Sequence, residues 1–246
     1  MSAKVILITG AAKRVGAFCA QYLHTQGHSI ILHYRSSEPA ALALAERLNA
    51  QRADSVRLYQ ADLNDLQALT GLAEFAQHAW AGVDVLINNA SAFYATEMQE
   101  VTTQQWDDLL ASNLKSPFFL INALSPCLKE RQGCVVNMVD IHAERGLKGF
   151  PVYSIAKAGL VALTRILAKE LAPEIRVNAV APGAILWPEQ GEDVDAQQQQ
   201  EILDKVALQS MGSPEDIAKA ISFLISDAGY MTGQIMTIDG GRSLFS

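Results

Sequence analysis

Short, dense apolar runs alternate along this chain with longer stretches in which apolar residues return every three or four positions. Val5–Thr9 is the first such run. It shows no polar alternation, so it reads as a strand buried on both faces. The stretch Arg14–Gln26 reads as a helix, with Gly27 as its stop. Ser29–His33 is the next strand. Pro39 opens a second helix, whose Leu42, Ala45 and Leu48 recur at helical spacing. Val56–Tyr59, Val83–Ile87, Val135–Met138, Val177–Val180 and Ile235–Ile238 are further strand candidates, and the segments around 64–80, 103–129 and 153–172 are helical by period. Strands parted by helices need right-handed crossovers. The pattern therefore predicts an α/β fold, a doubly wound parallel sheet of about seven strands with helices on both faces.

One stretch breaks the rhythm. From Pro182 to about Gln199 the chain carries Trp187, Pro188, the acidic Glu189, Glu192, Asp193 and Asp195, and the low-complexity run Gln197–Gln200. Open α/β sheets bind ligands beyond the carboxyl ends of their strands, so a substrate loop over about 183–210 fits this place. A solvated surface excursion fits the same residues. No linker or repeat divides the chain, and 246 residues, 50% of them hydrophobic, suffice for one domain over 1–246. Lys and Arg number 19 against 26 Asp and Glu, a net charge of −7. That sign argues against a nucleic-acid partner, because affinity there comes largely from neutralising phosphates. No apolar run reaches the roughly 20 residues of a membrane span. Met1–Gly10 reads as a strand entering a glycine loop, not as a signal peptide. Cys19, Cys127 and Cys134 form no CxxC and read as thiols of a reducing compartment, with no metal or disulfide framework. A cytoplasmic protein is the expectation.

The candidate chemistry lies at the ends of the strands. Thr9-Gly10-Ala11-Ala12-Lys13-Arg14-Val15-Gly16 joins the first strand to the first helix. Glycines there let the backbone approach a pyrophosphate, which rests on the positive end of the helix, as in a Rossmann-type domain. A tight turn with no ligand would look the same. Arg14 sharpens the reading. A cation in the first turn opposes the helix dipole by about 0.3–1 kcal/mol, a placement that makes sense if an anion or polar substrate shares the site.

At the end of the second strand, His33-Tyr34-Arg35-Ser36 has no carboxylate before Glu38. NAD sites place an acid there to hold the ribose hydroxyls. Arg35 with Ser36 instead offers donors for a 2′-phosphate, which favours NADP(H). Asp62-Leu63 and Asn88-Asn89-Ala90 follow the third and fourth strands and can line the same crevice. Asp62 suits either an adenine amine or the N-cap of the helix after it. Tyr153 and Lys157 stand at i and i+4, on one helix face. A neighbouring ammonium would stabilise the phenolate and lower the tyrosine pKa from its ordinary value near 10, fitting it for proton transfer at neutral pH.

In this order and at these places the motifs resemble those of the short-chain dehydrogenase/reductase family, from Val5 to Asp239-Gly240-Gly241. The resemblance implies NADPH as cofactor, held by the residues of these motifs. It implies that Tyr153 passes the proton, that Lys157 tunes it and holds the nicotinamide ribose, and that Asn113 completes a relay. Pro182-Gly183 matches the segment against the nicotinamide. A homotetramer formed through the helices near 103–129 and 153–172 is implied as well.

Three positions depart from the common family pattern. Most members carry a serine thirteen residues before the tyrosine to bond a substrate carbonyl; here the residue is Asp140. Arg14 replaces the middle glycine of the loop, and Ser91-Ala92-Phe93-Tyr94 follow Ala90 where many members have glycine. These departures resemble pteridine reductases and the related bacterial dihydromonapterin reductases. That resemblance implies hydride transfer to a C=N bond of dihydrobiopterin, dihydromonapterin, an oxidised pterin or dihydrofolate. Phe93 would stack on one face of the ring, with Arg14, Ser91, Asp140 and Tyr153 at its polar edge. A carboxyl group pairs with amino and ring N–H donors, where a serine suits a ketone oxygen. Ordinary core packing also accounts for Phe93. Trp187 is the expected wall of the side-chain pocket. Two other readings stand beside this one. A 3-ketoacyl-type carbonyl reductase is disfavoured by the missing serine. A non-catalytic NADP(H)-binding sensor is disfavoured by the intact Asn113, Tyr153 and Lys157.

Overall fold

A computed structural model describes residues 3–186 and 196–245. In chain order the elements are β1 Val5–Ile8, α1 Arg14–Thr25, β2 Ser29–Tyr34, α2 Glu38–Gln51, β3 Val56–Gln60, α3 Leu66–His78, β4 Val85–Asn88, α4 Thr103–Leu110, α5 Ser116–Glu130, β5 Cys134–Met138, α6 His142–Arg145, α7 Pro151–Glu170, β6 Arg176–Pro182, α8 Ala196–Leu203, α9 Pro214–Ser226 and β7 Ile235–Ile238. The seven strands form one sheet in the order β3-β2-β1-β4-β5-β6-β7, and neighbours pair parallel throughout. The chain winds outward from β1 to β3, returns, and winds the other way from β4 to β7. The reversal between β1 and β4 opens a crevice at the carboxyl ends of the strands.

β1 shows why the apolar runs become central strands. Ile6 and Ile8 enter a core with Leu23 of α1, Leu48 of α2 and Ile221 of α9. Val5 and Leu7 enter a second core with Leu72 of α3, Leu124 of α5 and Leu160 of α7. A strand with helices above and below has no face left for polar residues. Beneath the crevice lies a buried polar chain. Asn88 and Asn137 are register partners on β4 and β5. Asn88 Nδ2 donates to Asn137 Oδ1 (2.8 Å), Asn137 Nδ2 to Thr164 Oγ1 (2.9 Å), and Thr164 Oγ1 to the Leu160 carbonyl (2.8 Å). Every member is satisfied, as burial requires.

Several expectations shift. In α2 the buried stripe is Ala41, Leu44, Ala45 and Leu48, and Leu42 is exposed. Leu42, Ala45 and Leu48 do share helical spacing, but the sheet lies under the stripe one position away. The predicted helix at 103–129 is two helices joined by a wide π-type turn, Ala111–Lys115. The region 183–210 is not wholly loop, because α8 lies inside it. Glutamine is a good helix former, and Gln197 and Gln200 bond Glu201 and Asp204 one turn on. Among the described residues one helix, α7, is long and apolar enough to cross a membrane by length and composition, although Lys157, Arg165 and Lys169 interrupt its apolar run. Half of its most apolar window is buried, with Leu160, Val161, Leu163 and Ala168 in the core, which accounts for its apolar character.

Candidate active site

The glycine loop is fastened from both sides. Gly10 has φ of +63°, open to glycine at no steric cost, and a Cβ on Gly16 would lie 2.5 Å from Asn89 Nδ2. Asn89 reaches across from β4: its Nδ2 donates to the carbonyls of Thr9 (2.8 Å) and Gly10 (3.0 Å). Thr9 Oγ1 accepts from the backbone N–H groups of Asn89 (2.9 Å) and Ala90 (3.0 Å). On the β2 side, the Gly10 N–H donates to His33 Nδ1 (3.1 Å). Nε2 therefore carries the ring proton and donates it to the Ala61 carbonyl (3.1 Å). Burial pushes the His33 pKa down to about 4. Both nitrogens are committed, so His33 is a strut under the loop and offers no polar atom to a ligand, unlike the sequence expectation. Tyr34 packs against the core and also lines the cleft.

Arg35 and Ser36, in contrast, are exposed at the mouth, with the Arg35 carbonyl held by Gln60 Nε2 (3.0 Å). Asp62 does not cap α3. Asp65 does, accepting from the Gln67 N–H (2.8 Å), while Asp62 accepts from the Asn64 N–H (3.0 Å) and stays exposed on the cleft beside Leu63. Arg14 has φ of +53°. A side chain in this left-handed region costs about 1–2 kcal/mol, at the position where the common family pattern has glycine.

At the inner end, the π-type turn positions the strip after β4. Ser91 Oγ donates to Asn113 Oδ1 (2.7 Å), and Asn113 Nδ2 donates to the carbonyls of Ala92 (2.9 Å) and Leu109 (3.0 Å). Asn113 is buried and its side chain does not line the cleft. Its visible work is to hold Ser91-Ala92-Phe93 in place. Phe93 is 50% exposed on the cleft. Phe150 stacks behind it at 4.6 Å and 8°, and Tyr153 meets it edgewise at 4.8 Å.

Tyr153 and Asp140 face one another. The Tyr153 hydroxyl donates to Asp140 Oδ2 (2.7 Å), and Asp140 Oδ1 accepts from the His142 N–H (2.8 Å). Lys157 Nζ donates to the Met138 carbonyl (2.8 Å), 5.7 Å from the Tyr153 ring centre. Burial lowers the Lys157 pKa to about 8, against the opposing pull of Asp140. Burial first, then the charge and hydrogen bond of Asp140, push the Tyr153 pKa up. This reverses the sequence expectation that the ammonium would lower it. Burial and the carboxylate bonded to the hydroxyl both favour the neutral phenol, while the ammonium is turned toward a carbonyl.

The whole forms a cleft of about 1020 Å³ running from Arg35 and Asp62, past the glycine loop, to Asp140, Tyr153 and Lys157. Pro182 and Gly183 line it, and a Cβ on Gly183 would lie 2.6 Å from Asp239 Cβ. Trp187 lies outside the described residues. Arg242 and His142 line the cleft and were missed in the sequence. The signal for Arg242 was its place directly after Asp239-Gly240-Gly241. Among the described residues no group of His, Cys, Asp and Glu could hold a metal ion.

NADPH fits this cleft. Gly10, Val15 and Gly16 line it at the start of α1, where a pyrophosphate would rest on the positive end of the helix, and Arg35 and Ser36 line it with donors for a 2′-phosphate. A doubly wound sheet with a cleft at its switch point is the architecture of the nucleotide-cofactor-binding folds. A family model described as enoyl-(acyl carrier protein) reductase matches residues 10–243. The chain is 35% identical to pteridine reductase 1 of Leishmania tarentolae over 99% of its own length and 97% of that protein. It is 32% identical to the 3-oxoacyl-[acyl-carrier-protein] reductase FabG of Staphylococcus aureus over 97% of each. A solved structure of a blue fluorescent protein from a metagenomic library in complex with NADPH superposes with a TM-score of 0.90, at 32% identity and 97% coverage of both chains. The chain belongs to the short-chain dehydrogenase/reductase family.

Proposed function

We propose that the protein is an NADPH-dependent pteridine reductase that reduces a C=N bond of a dihydropterin or oxidised pterin, with dihydrobiopterin, dihydromonapterin and dihydrofolate as candidate substrates. The observation that carries this reading is the 2.7 Å bond between the Tyr153 hydroxyl and Asp140, in the position where carbonyl reductases of the family use serine. NADPH supplies the hydride. Phe93, backed by Phe150, offers a ring face to a planar heterocycle. Arg14, Ser91 and Asp140 meet the polar edge of that ring. Tyr153 and Asp140 act as a coupled pair that passes a proton to the ring nitrogen while the adjacent carbon receives the hydride. Lys157 answers the negative charge that the transfer leaves, and it holds the nicotinamide ribose.

The similarity to 3-oxoacyl reductases favours a second reading, a 3-ketoacyl reductase. NADPH consumption with the three pterins, run beside a 3-ketoacyl thioester, decides between them. Turnover of pterins alone is expected, and turnover of the thioester alone refutes the proposal. Asp140→Ser is expected to lower pterin turnover at least about 100-fold, the scale of a proton-transfer group. An unchanged rate removes that carboxylate from the chemistry. A homotetramer formed through α5 and α7, in the cytoplasm, is part of the same proposal; the exposed Phe118 and Phe119 of α5 and Ile155 and Ile166 of α7 give those helices apolar surface to pack against another copy.

A further inference from the structure

Past Asp140 the cleft is lined by Ile202, Met211 and Arg242, the last of these in a turn built after β7. Asp239 organises that turn, accepting from the Gly241 N–H (2.9 Å) and the Ser243 N–H (2.6 Å). Gly240 and Gly241 take the left-handed φ values of +61° and +82° that such a reversal needs. Arg145 of α6 clamps the far side, donating to the Arg242 carbonyl (2.8 Å) and to the Phe245 carbonyl. The backbone of Arg242 is thus held independently of its side chain, and the side chain lines the cleft.

Its guanidinium has no hydrogen bond or ion pair among the described residues. Asp140 and Asp239 are near enough to act on it by charge, but neither bonds it: the Asp239 oxygens accept from Gly241 and Ser243, and those of Asp140 from Tyr153 and His142. His142 beside it is driven toward its neutral form by burial. Arg242 is therefore a half-buried cation with unfilled donors. Its place along the sheet gives it a direction. Parallel strands lie about 4.8 Å apart, so β7 stands roughly 10 Å beyond β5 and roughly 19 Å beyond β1. A cofactor lying from β2 to β5 leaves this end free. Arg242 lines the same cleft as Phe93 and Asp140, so it stands within the site of a ring seated on them.

We infer that Arg242 is a specificity-determining residue that binds an oxyanion on the substituent of the substrate ring. The inference rests on the pterin reading above. A guanidinium bonds a carboxylate or phosphate through two parallel N–H groups, roughly twice as strongly as it bonds neutral oxygens, so a neutral hydroxyl leaves most of its capacity unused.

The test compares wild type, Arg242→Gln and Arg242→Lys on three substrates: dihydrofolate, which carries carboxylates; a dihydroneopterin phosphate; and neutral dihydrobiopterin. The kcat/KM ratio of an anionic substrate to dihydrobiopterin is expected to fall about tenfold in Arg242→Gln, mainly through KM. It is expected to recover in part in Arg242→Lys and to shrink with added salt in wild type and Arg242→Lys but not in Arg242→Gln. A fall confined to dihydrofolate assigns a carboxylate, and one confined to the phosphate ester assigns a phosphate. Equal changes on neutral and anionic substrates overturn the inference. Wild type turning over none of the three overturns the pterin reading itself, and the inference with it, a result visible before any variant is made.

Discussion

Acid is expected to loosen this fold through one buried ring. The His33 pKa stands at about 4 in the folded protein because the ring is buried, with only partial relief from its bond to Ala61 and the charge of Asp62. In an unfolded chain it would sit near 6.5. Between those values the unfolded chain holds more protons, so stability falls as pH falls. A gap of about 2.5 pKa units corresponds to about 3 kcal/mol in full, of which about 2 kcal/mol is lost between pH 7 and pH 5. The assay is urea unfolding at pH 7, 6 and 5 of wild type and of His33→Gln, which keeps polar atoms but does not titrate. Burial also lowers the pKa values of His24, His28 and His142, but these contribute equally to both proteins and cancel in the comparison. Wild type is expected to lose about 2 kcal/mol more than the variant over that interval. Parallel losses in the two proteins would refute the strut assigned to His33.

Two further outcomes follow from strain and charge. Arg14→Gly releases a side chain from φ of +53°, and against the added freedom of the unfolded chain the net gain is about 0.5–1 kcal/mol in a denaturation midpoint; a less stable variant would count against strain at that turn. Lys157, with its pKa lowered from 10.5 to about 8, opposes folding while it is protonated, so stability is expected to rise with pH between those values as the unfolded chain holds the extra proton. NADPH-dependent turnover is expected to fall over the same interval, and a Lys157→Met variant that kept the rise in stability would show that the slope belongs to another group.

The strands were legible because their environment is simple. Val5–Ile8 is apolar at every position and buried at every position. The switch-point site was legible for a related reason, since Gly10, Asn89, Asp140 and Tyr153 all stand at element ends that the pattern already marks. What escaped depends on tertiary contacts. Which stripe of α2 faces the sheet turns on a rotation of one residue, so Leu42 and Ala41 exchange places. The Tyr153 pKa rises through burial first and then through the carboxylate at its hydroxyl, neither of which the helix spacing shows. Spacing along a helix shows Lys157 and cannot show a carboxylate arriving from β5. The same limit hid His33 as a strut and Arg242 as a cleft residue, since their partners come from Gly10, Ala61 and Arg145, distant in sequence.

The buried chain of Asn88, Asn137 and Thr164 bears on how such an enzyme changes its trade. Ser91 and Asp140 each stand three residues beyond their asparagine, and the two asparagines are locked side by side. The two tips thus leave the sheet at a common height, whatever residue types they carry. A serine can give way to an aspartate at position 140, or the reverse, without disturbing the pairing below. An exchange at position 140 thus acts on the bonds to Tyr153 and His142 at the rim and leaves the frame that holds them in place.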